Sequence, residues 1–305
     1  MKIPESGLEL TRRQVSILDL QTRLELDGDA RDLAYTSPIW ARFSLPHKDP
    51  GAVPFYEVHN GDLSISIQPG IAPGVDGRME AKGIPFGVIP RHTLTYLVTE
   101  AVQRKDPEVH LGSSLNEFMG KIGLGRNGTD IRRLKTQLER LTWCRVSVTA
   151  RLDSSEAGQG YRQELMSLAT GAELWLNGAA KHRGDPGLWG SSITLSPEFY
   201  ASVIDKPLPV YLEDLRVLGD SALRLDIYTW LVYRMFYLRT TTRITWAQLH
   251  AQFGATYKRQ RDFRARFEPA LKDVLRVYTG ARVTVSTECL TLRPSAPHVR
   301  PLDRR

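Results

Sequence analysis

The same order of elements is predicted twice along this sequence: two helices, a third and basic helix, and then two strands. In the second copy, helices are predicted over 221–238, 245–253 and 261–278, with strands over 281–286 and 289–293. In the first copy, the corresponding ranges are 91–104, 115–122 and 129–142, followed by extended stretches over 143–150 and 165–176. Three helices followed by a β-hairpin form a helix-turn-helix domain with a β wing, the winged helix. The sequence therefore predicts an α+β protein with two tandem winged-helix domains.

The third helix of the second copy carries the clearest indication of function. Phe263 and Phe267 are four residues apart and share one helical face, whereas Arg261 and Arg264 point away from that face. A helix in a DNA groove needs such a basic outer surface, because the groove floor offers acceptors and its walls carry phosphate charge. A lone basic helix is more often a solvated surface. This helix, however, follows two helices and precedes a hairpin, and that position favours binding in a DNA groove.

The distribution of charge agrees with this interpretation. The 305 residues carry a formal net charge of +7 at pH 7. Residues 239–282 contain ten Lys or Arg and three Asp or Glu, so this segment alone accounts for the whole net charge. A basic surface concentrated on one domain indicates a polyanionic partner.

The third helix of the first copy is the matching candidate. Thr129 is its predicted N-cap, and Leu134, Leu138 and Leu141 lie at helical spacing on the predicted core face. The outer face predicted from this spacing consists of Arg132, Arg133, Thr136, Gln137 and Arg140.

The region before the first copy is predicted to contain a helix and then β structure. A helix is expected over 9–27, with Thr11 and Gln14 as a capping box, and a strand over 39–45. Asn60-Gly61 predicts a β-hairpin, and the Gly/Pro-rich stretch 70–83 predicts a linker.

Four regions follow from these patterns. The N-terminal helix, hairpin and linker cover 1–82, and the two winged-helix domains cover 83–195 and 196–298. The chain from Pro294 onward is predicted to be extended or disordered, and 299–305 is predicted to be a flexible basic tail.

Motif and spacing disfavour several other classes of protein. The glycines at 123, 125 and 128 match GxGxxG, but a helix precedes them and no acidic residue follows at the required distance. The histidines lack metal-ligand spacing, and neither Cys144 nor Cys289 has a CxxC partner. There is also no GxxxxGK[ST], GxSxG, HExxH or His-x-His sequence. We therefore expect no enzyme activity, no cofactor and no metal.

The expected location is the cytoplasm. No apolar run approaches the roughly 20 residues of a membrane span, and the first residues lack a signal-peptide core. The two cysteines lie far apart in apolar stretches, which indicates buried thiols in a reducing compartment.

Several blocks of the sequence resemble plasmid replication initiators of the RepA type. These blocks include SALRLDIYTWL from Ser221, ITWAQLHAQFG from Ile244, RDFRARF from Arg261, GIPFGVIPR from Gly83 and WGSSITLSPEFY from Trp189. The likeness covers about residues 35–298, nearly the whole chain.

The resemblance implies a function and a set of partners. Members of this family bind short direct repeats, called iterons, at a plasmid origin and open the neighbouring AT-rich duplex. Related initiators repress their own gene as dimers and start replication as monomers. The implied partners are double-stranded DNA, a second copy of the chain, and host replication proteins such as a helicase or host initiator.

The resemblance also implies positions for DNA contacts. By motif position, the major-groove helix of the second domain falls on Gln260, Arg261, Asp262, Arg264 and Arg266. In the first domain it falls on Arg132, Arg133 and Gln137. Lys258 and Arg259, with Arg145 and Arg282, are expected to neutralise phosphates rather than to read bases.

Two other functions stay open at this point. A winged-helix transcription repressor would bind a palindrome as a dimer and would not open an origin. A primase or nuclease at the origin would require metal-dependent chemistry. Residues 35–68 could form a dimer surface or a helicase-loading surface, or could pack against the first winged helix.

Overall fold

The buried residues of the protein form two hydrophobic cores. A computed structural model describes residues 11–27, 31–74, 76–154, 158–174 and 190–299. One core contains apolar side chains from residues 43–203. The other contains apolar side chains from two ranges, residues 17–41 and residues 208–292. The N-terminal region is therefore divided between the two cores.

The N-terminal region contains two helices and five strands. These are α1 (Arg12–Asp27), β1 (Leu33–Thr36), α2 (Pro38–Arg42), β2 (Tyr56–Asn60), β3 (Leu63–Gln68), β4 (Ile71–Pro73) and β5 (Met79–Ala81). Thr11 and Gln14 form the predicted capping box before α1, with Gln14 N–H donating to Thr11 Oγ1 over 3.3 Å. Residues 9 and 10 of this predicted helix lie outside the described residues.

The β-hairpin predicted at Asn60-Gly61 is confirmed. Asn60 pairs with Leu63, so Gly61 and Asp62 form the two-residue turn, and Gly61 has a φ of 64°. Positive φ at this position is why glycine suits the turn.

Two predictions for the N-terminal region are wrong. Residues 38–42 form a helix rather than a strand, because the Ser37 hydroxyl accepts the N–H of Ile39 and Pro38 occupies the first turn. The predicted linker 70–83 contains the β4–β5 hairpin, in which Ile71 pairs with Ala81. The glycines and prolines of this stretch therefore belong to a short hairpin and not to an unstructured connection.

The first repeat of the predicted pattern contains three helices and the long hairpin that follows them. Its elements are α3 (Val88–Arg104), β6 (Glu108–His110), α4 (Leu115–Lys121), α5 (Gly128–Trp143), β7 (Arg145–Ser154), β8 (Gly158–Ser167), β9 (Ala169–Glu173) and β10 (Ser192–Leu195). The N-cap of α5 is Asn127, which accepts the Asp130 N–H over 2.9 Å, and not Thr129 as predicted. Residues 175 and 176 of the second predicted strand lie outside the described residues.

The long hairpin β7–β8 that follows α5 is joined to the N-terminal hairpin. One sheet has the strand order β2-β3-β7-β8, and in it Leu63 pairs with Ala150 and Gln68 with Arg145. A second sheet has the order β6-β10-β9. Backbone pairing therefore crosses the predicted boundary at residue 82.

The second repeat begins at α8, and two helices and a strand connect it to the first; this part of the chain is described with it. Its elements are α6 (Pro197–Asp205), β11 (Leu208–Tyr211), α7 (Leu212–Leu218), α8 (Ala222–Tyr237), β12 (Thr242–Thr245), α9 (Trp246–Phe253), α10 (Gln260–Val277), β13 (Arg282–Val285) and β14 (Cys289–Arg293). The predicted N-caps Ser196, Ser221 and Thr245 are all confirmed. The pairing of β11 with β1 and the short α7 were not predicted.

The α+β class with two winged helices is confirmed. In the second repeat, β12 lies between α8 and α9 and pairs with β14, and β13 and β14 form the wing hairpin after α10. The two cysteines are buried free thiols, as predicted, and burial raises the pKa of Cys144 to about 12.

The end of the described chain is packed rather than disordered. His298 Nε2 lies 2.6 Å from the Asp214 carboxylate, and its ring lies 4.1 Å from the Tyr278 ring. Val299 is also buried. The prediction was an extended or disordered end, and the disordered alternative is wrong for 294–299. Residues 300–305 lie outside the described part.

Candidate nucleic-acid interface

The helix α10 buries its phenylalanines and exposes its basic side chains. Phe263 and Phe267 are fully buried, and the Phe267 ring packs against Trp246 and Phe253 of α9, each at a centroid distance of 5.8 Å. The predicted candidates that are exposed around this helix are Lys258, Arg259, Gln260, Arg261, Asp262 and Arg266. The amphipathic prediction for this helix is confirmed.

Arg264 differs from the other candidates on α10. Its side chain is only 32% exposed, and Nε lies 2.5 Å from Glu268 Oε1. Nη1 donates to the carbonyl of Thr287 in the wing over 2.8 Å, and the guanidinium lies 4.7 Å from the Trp246 ring. Arg264 therefore connects the helix to the wing and is less exposed than the other predicted candidates on α10.

The helix α5 also presents a basic face. Leu134, Leu138 and Leu141 are buried as predicted. The exposed candidates on this helix are Arg132, Arg133 and Thr136. Arg133 lies 3.2 Å from Asp130 one turn earlier, a surface ion pair that competing phosphate could replace.

Gln137 and Arg140 are not part of the outer face of α5. Gln137 is 5% exposed, and its Oε1 accepts the Phe86 N–H over 2.8 Å. The Arg140 side chain is 18% exposed and donates to the Ile84 carbonyl and to Asp49, each over 3.2 Å. The prediction that both residues face outward is therefore wrong.

Gln137 and Arg140 are covered by the segment that precedes α3 in the chain, which packs against α5. This segment begins at Gly83, whose φ is 80°, and a Cβ there would lie 3.1 Å from the Arg140 guanidinium. The Arg140 guanidinium also lies 5.2 Å from the Phe86 ring. The helix consequently buries a wider stripe than its leucines alone indicate.

The outer faces of α5 and α10 border the same ridge. A depression beside α5 is lined by residues that include Arg132 and Arg133, and a second depression beside α10 is lined by residues that include Arg266. His47 and Ala222 line both depressions. The depressions beside the two third helices therefore meet at His47 and Ala222.

A buried ion cluster joins the two repeats beneath this ridge. Arg91 of α3 contacts both oxygens of Asp226 of α8, over 2.6 and 2.7 Å, and His47 Nε2 lies 2.9 Å from the same carboxylate. Burial alone would raise the pKa of Asp226, but the Arg91 guanidinium and His47 outweigh it and lower the pKa. Asp226 is therefore ionised, and it fixes α3 against α8.

The family comparison agrees with this geometry. The family described as plasmid encoded RepA protein matches residues 84–248, more than half of the chain. The chain belongs to this RepA family. Membership places it among plasmid replication initiators, whose partner is DNA.

Solved structures show a related fold for this RepA-family chain. A crystal structure of domains 2 and 3 of RctB, determined on selenomethionine derivatives, is 13% identical, with a TM-score of 0.52. The match covers 85% of this chain and 96% of the RctB chain. A second structure of RctB domains 2–3 gives 11% identity, the same coverage and a TM-score of 0.49. At this identity the likeness concerns the fold alone.

Two further findings complete the comparison. No curated protein matches the sequence of this chain significantly. Among the described residues, no helix is both long enough and apolar enough to cross a membrane.

The sequence did not predict the residues on the ridge between the two helices. His47 and Lys48 lie in a segment without periodicity, and Ala222 is simply the first residue of α8. Their proximity depends on contacts between residues about 180 positions apart, such as His47 with Asp226. No local pattern reports such a contact.

Proposed function

We propose that this RepA-family protein initiates plasmid replication by binding direct repeats at the origin with α5 and α10 of one protomer. In this proposal the two helices enter successive major grooves on one face of the duplex. The observation that carries it is that the depressions beside the two helices meet at His47 and Ala222. A helix-turn-helix domain places one helix in each major groove, and successive grooves on one face are one helical turn apart.

In this proposal, the exposed arginines contact the bases. Arg261 and Arg266 on α10, and Arg132 on α5, are exposed. Arginine binds the O6 and N7 atoms of guanine with two hydrogen bonds, which gives about 1–3 kcal/mol of discrimination per pair. Gln260 is also exposed and suits adenine.

In this proposal, phosphates are bound by basic residues near the ends of the helices and in the hairpins that follow them. Lys258 and Arg259 precede α10, Arg145 begins β7, and Arg282 begins β13. All four are exposed. Their contacts would set affinity and register without sequence preference, so their loss should weaken binding to all duplexes alike.

The proposal includes repression of the protein's own gene by a dimer and contains no catalytic step. A monomer would start replication, and host replication proteins would join the opened origin. The protein would act by binding alone, without a metal or cofactor.

Footprinting on the DNA that flanks the protein's own gene tests the proposal. We expect protections of about two helical turns, repeated at regular spacing and in the same orientation, as direct repeats require. A single protected palindrome would contradict initiation by tandem binding and would support the repressor function. Metal-dependent nicking or primer synthesis by the purified chain would contradict the absence of catalysis.

A further inference from the structure

The edge strand β8 carries apolar side chains on a face of the sheet that is otherwise polar. The strand order is β2-β3-β7-β8, and among the described residues β8 pairs only with β7. Tyr161 and Leu165 of β8 are 74% and 72% exposed, more than any other large apolar side chain that the structure describes. Both stand on the face that carries Ser147 and Thr149 of β7. Exposed apolar side chains placed together in this way indicate an interaction surface.

The backbone of β8 is also accessible to another strand. Every residue from 159 to 165 is exposed. This stretch contains no lysine and no proline, the residues that commonly protect an edge strand from pairing. Toward its end, β8 contacts the start of α6, where the Ser196 hydroxyl donates to the Ser167 carbonyl over 2.7 Å. In the described part of the chain, the open edge of the sheet therefore runs from residue 159 to residue 166.

The sequence of this edge is complementary to itself. A two-fold axis through Gln163 places two copies of β8 antiparallel, with Arg162 of each copy opposite Glu164 of the other. The same axis places Tyr161 opposite Leu165. Opposite charges and aromatic–aliphatic pairs directly across two antiparallel strands stabilise their pairing.

These charges have no opposite charge across from them within their own sheet. Arg162 pairs with Ala150 of β7, and Glu164 pairs with Val148. The ion pairs would therefore be gained only when a second copy of β8 is present.

The charges also select one register. Paired residues must point to the same face of a sheet, so a two-fold axis perpendicular to the sheet passes through a residue and not between two residues. An axis through Arg162 would place arginine opposite arginine, and an axis through Glu164 would place glutamate opposite glutamate. Like charges directly opposite one another destabilise pairing, so the register centred on Gln163 is favoured.

We infer that a second copy of this chain pairs with β8 in the antiparallel register centred on Gln163. This inference rests on the proposed function, which includes a dimer, and assigns the surface that forms it.

The two four-stranded sheets then form one continuous sheet across the dimer. The pairing involves residues 160–166 of each copy, which is a small contact compared with the interfaces of permanent dimers. Monomer and dimer should therefore exchange with protein concentration.

Charge variants of the full chain test the register. Arg162→Glu places acid opposite acid at both contacts, and Glu164→Arg places base opposite base. Each single variant should raise the dissociation constant of the dimer on the order of 10- to 100-fold. The double variant Arg162→Glu/Glu164→Arg restores opposite charges and should dimerise like the wild type. Arg151→Glu is the control, because Arg151 is exposed on β7 of the same hairpin and makes the same charge change away from the edge.

An equimolar mixture of the two single variants is the most specific measurement. One variant carries only acids at the two positions and the other carries only bases, so a heterodimer has opposite charges at both contacts. At a concentration at which the wild type is dimeric, sedimentation equilibrium should show monomers for each variant alone and dimers for the mixture. Circular dichroism shows whether each variant is folded.

Three results would overturn the inference. These are a wild-type chain that stays monomeric at every concentration tested, folded single variants that dimerise like the wild type, and a mixture that stays monomeric.

Footprinting distinguishes the failure of this inference from the failure of the proposed function. Arg162→Glu, as a monomer, should retain the regularly spaced protections on the direct repeats. If those protections appear while the association tests fail, only the inference is overturned. If the wild type does not protect the repeats, the proposed function itself fails.

Discussion

At the scale of single residues, exposure divides the arginines of α10 into two kinds. Arg261 is 75% exposed at its side chain, and its nearest carboxylate is the adjacent Asp262, at 3.5 Å. Arg264 contacts Glu268, the wing and the Trp246 ring. Helical spacing places both arginines on outward positions and does not predict this difference in exposure. Trp246 and Thr287, which contact Arg264, belong to other parts of the chain.

This division predicts different outcomes for two alanine substitutions. Arg264→Ala should lower the free energy of unfolding by about 1 kcal/mol, since it removes an ion pair and a cation–π contact. Arg261→Ala should change stability by less than about 0.5 kcal/mol but cost about 1–3 kcal/mol of sequence discrimination. Urea unfolding and competition between specific and random duplexes measure the two effects. Equal loss of discrimination in both variants would contradict the division.

The buried position of Gln137 gives a second prediction. Gln137→Leu fills similar space but leaves the Phe86 N–H without its acceptor, so the free energy of unfolding should fall by about 1–3 kcal/mol. Thr136→Ala, at the adjacent exposed position, is the control and should be nearly neutral in stability. An unchanged urea midpoint for Gln137→Leu would show that this hydrogen bond does not support the fold.

At the scale of elements, capping residues and apolar spacing predicted the helices of both repeats well. Ser221 and Thr245 cap α8 and α9, and the predicted start of α10 differs by one residue. Apart from the local capping at Ser37 and Asn127, the differences fall where short elements depend on partners far along the chain. The strand β11 pairs with β1, and β7 pairs with β3 of the N-terminal hairpin. Local periodicity contains no information about such pairing.

The capping box of α9 gives a prediction at this scale. Thr245 Oγ1 accepts the Gln248 N–H over 3.2 Å, and Gln248 Oε1 accepts the Thr245 N–H over 2.8 Å. Thr245→Ala should lower the free energy of unfolding by about 1 kcal/mol, whereas Thr245→Ser should retain most of it. Thermal unfolding of the two variants provides the comparison, and equal melting temperatures would contradict it.

At the scale of the whole molecule, the Asp226 cluster is a buried contact that joins the two repeats. It links α3, α8 and the segment around His47, and so fixes the two basic faces relative to one another. From the sequence, the two repeats and the position of their third helices could be predicted. Their common orientation could not, because it depends on buried charges that no sequence spacing connects.

Removal of the Asp226 charge should therefore destabilise the protein in a pH-dependent way. The pKa of Asp226 is lowered in the folded state, so its stabilisation is present above the unfolded pKa, near 4, and is lost as the pH falls through the folded value. Asp226→Asn should lower the free energy of unfolding by about 3 kcal/mol at pH 7, and by less at pH 3. Urea unfolding at both pH values tests this, and a constant difference would contradict the assignment.

The central claim, that one protomer uses α5 and α10 in two successive major grooves, is tested most directly by methylation interference at guanine N7. The wild-type protein on its repeat should show two clusters of interference, about one helical turn apart on one face of the duplex. Arg261→Ala should remove interference only in one cluster, and Arg132→Ala only in the other. A single cluster, or loss of the same cluster in both variants, would contradict the claim.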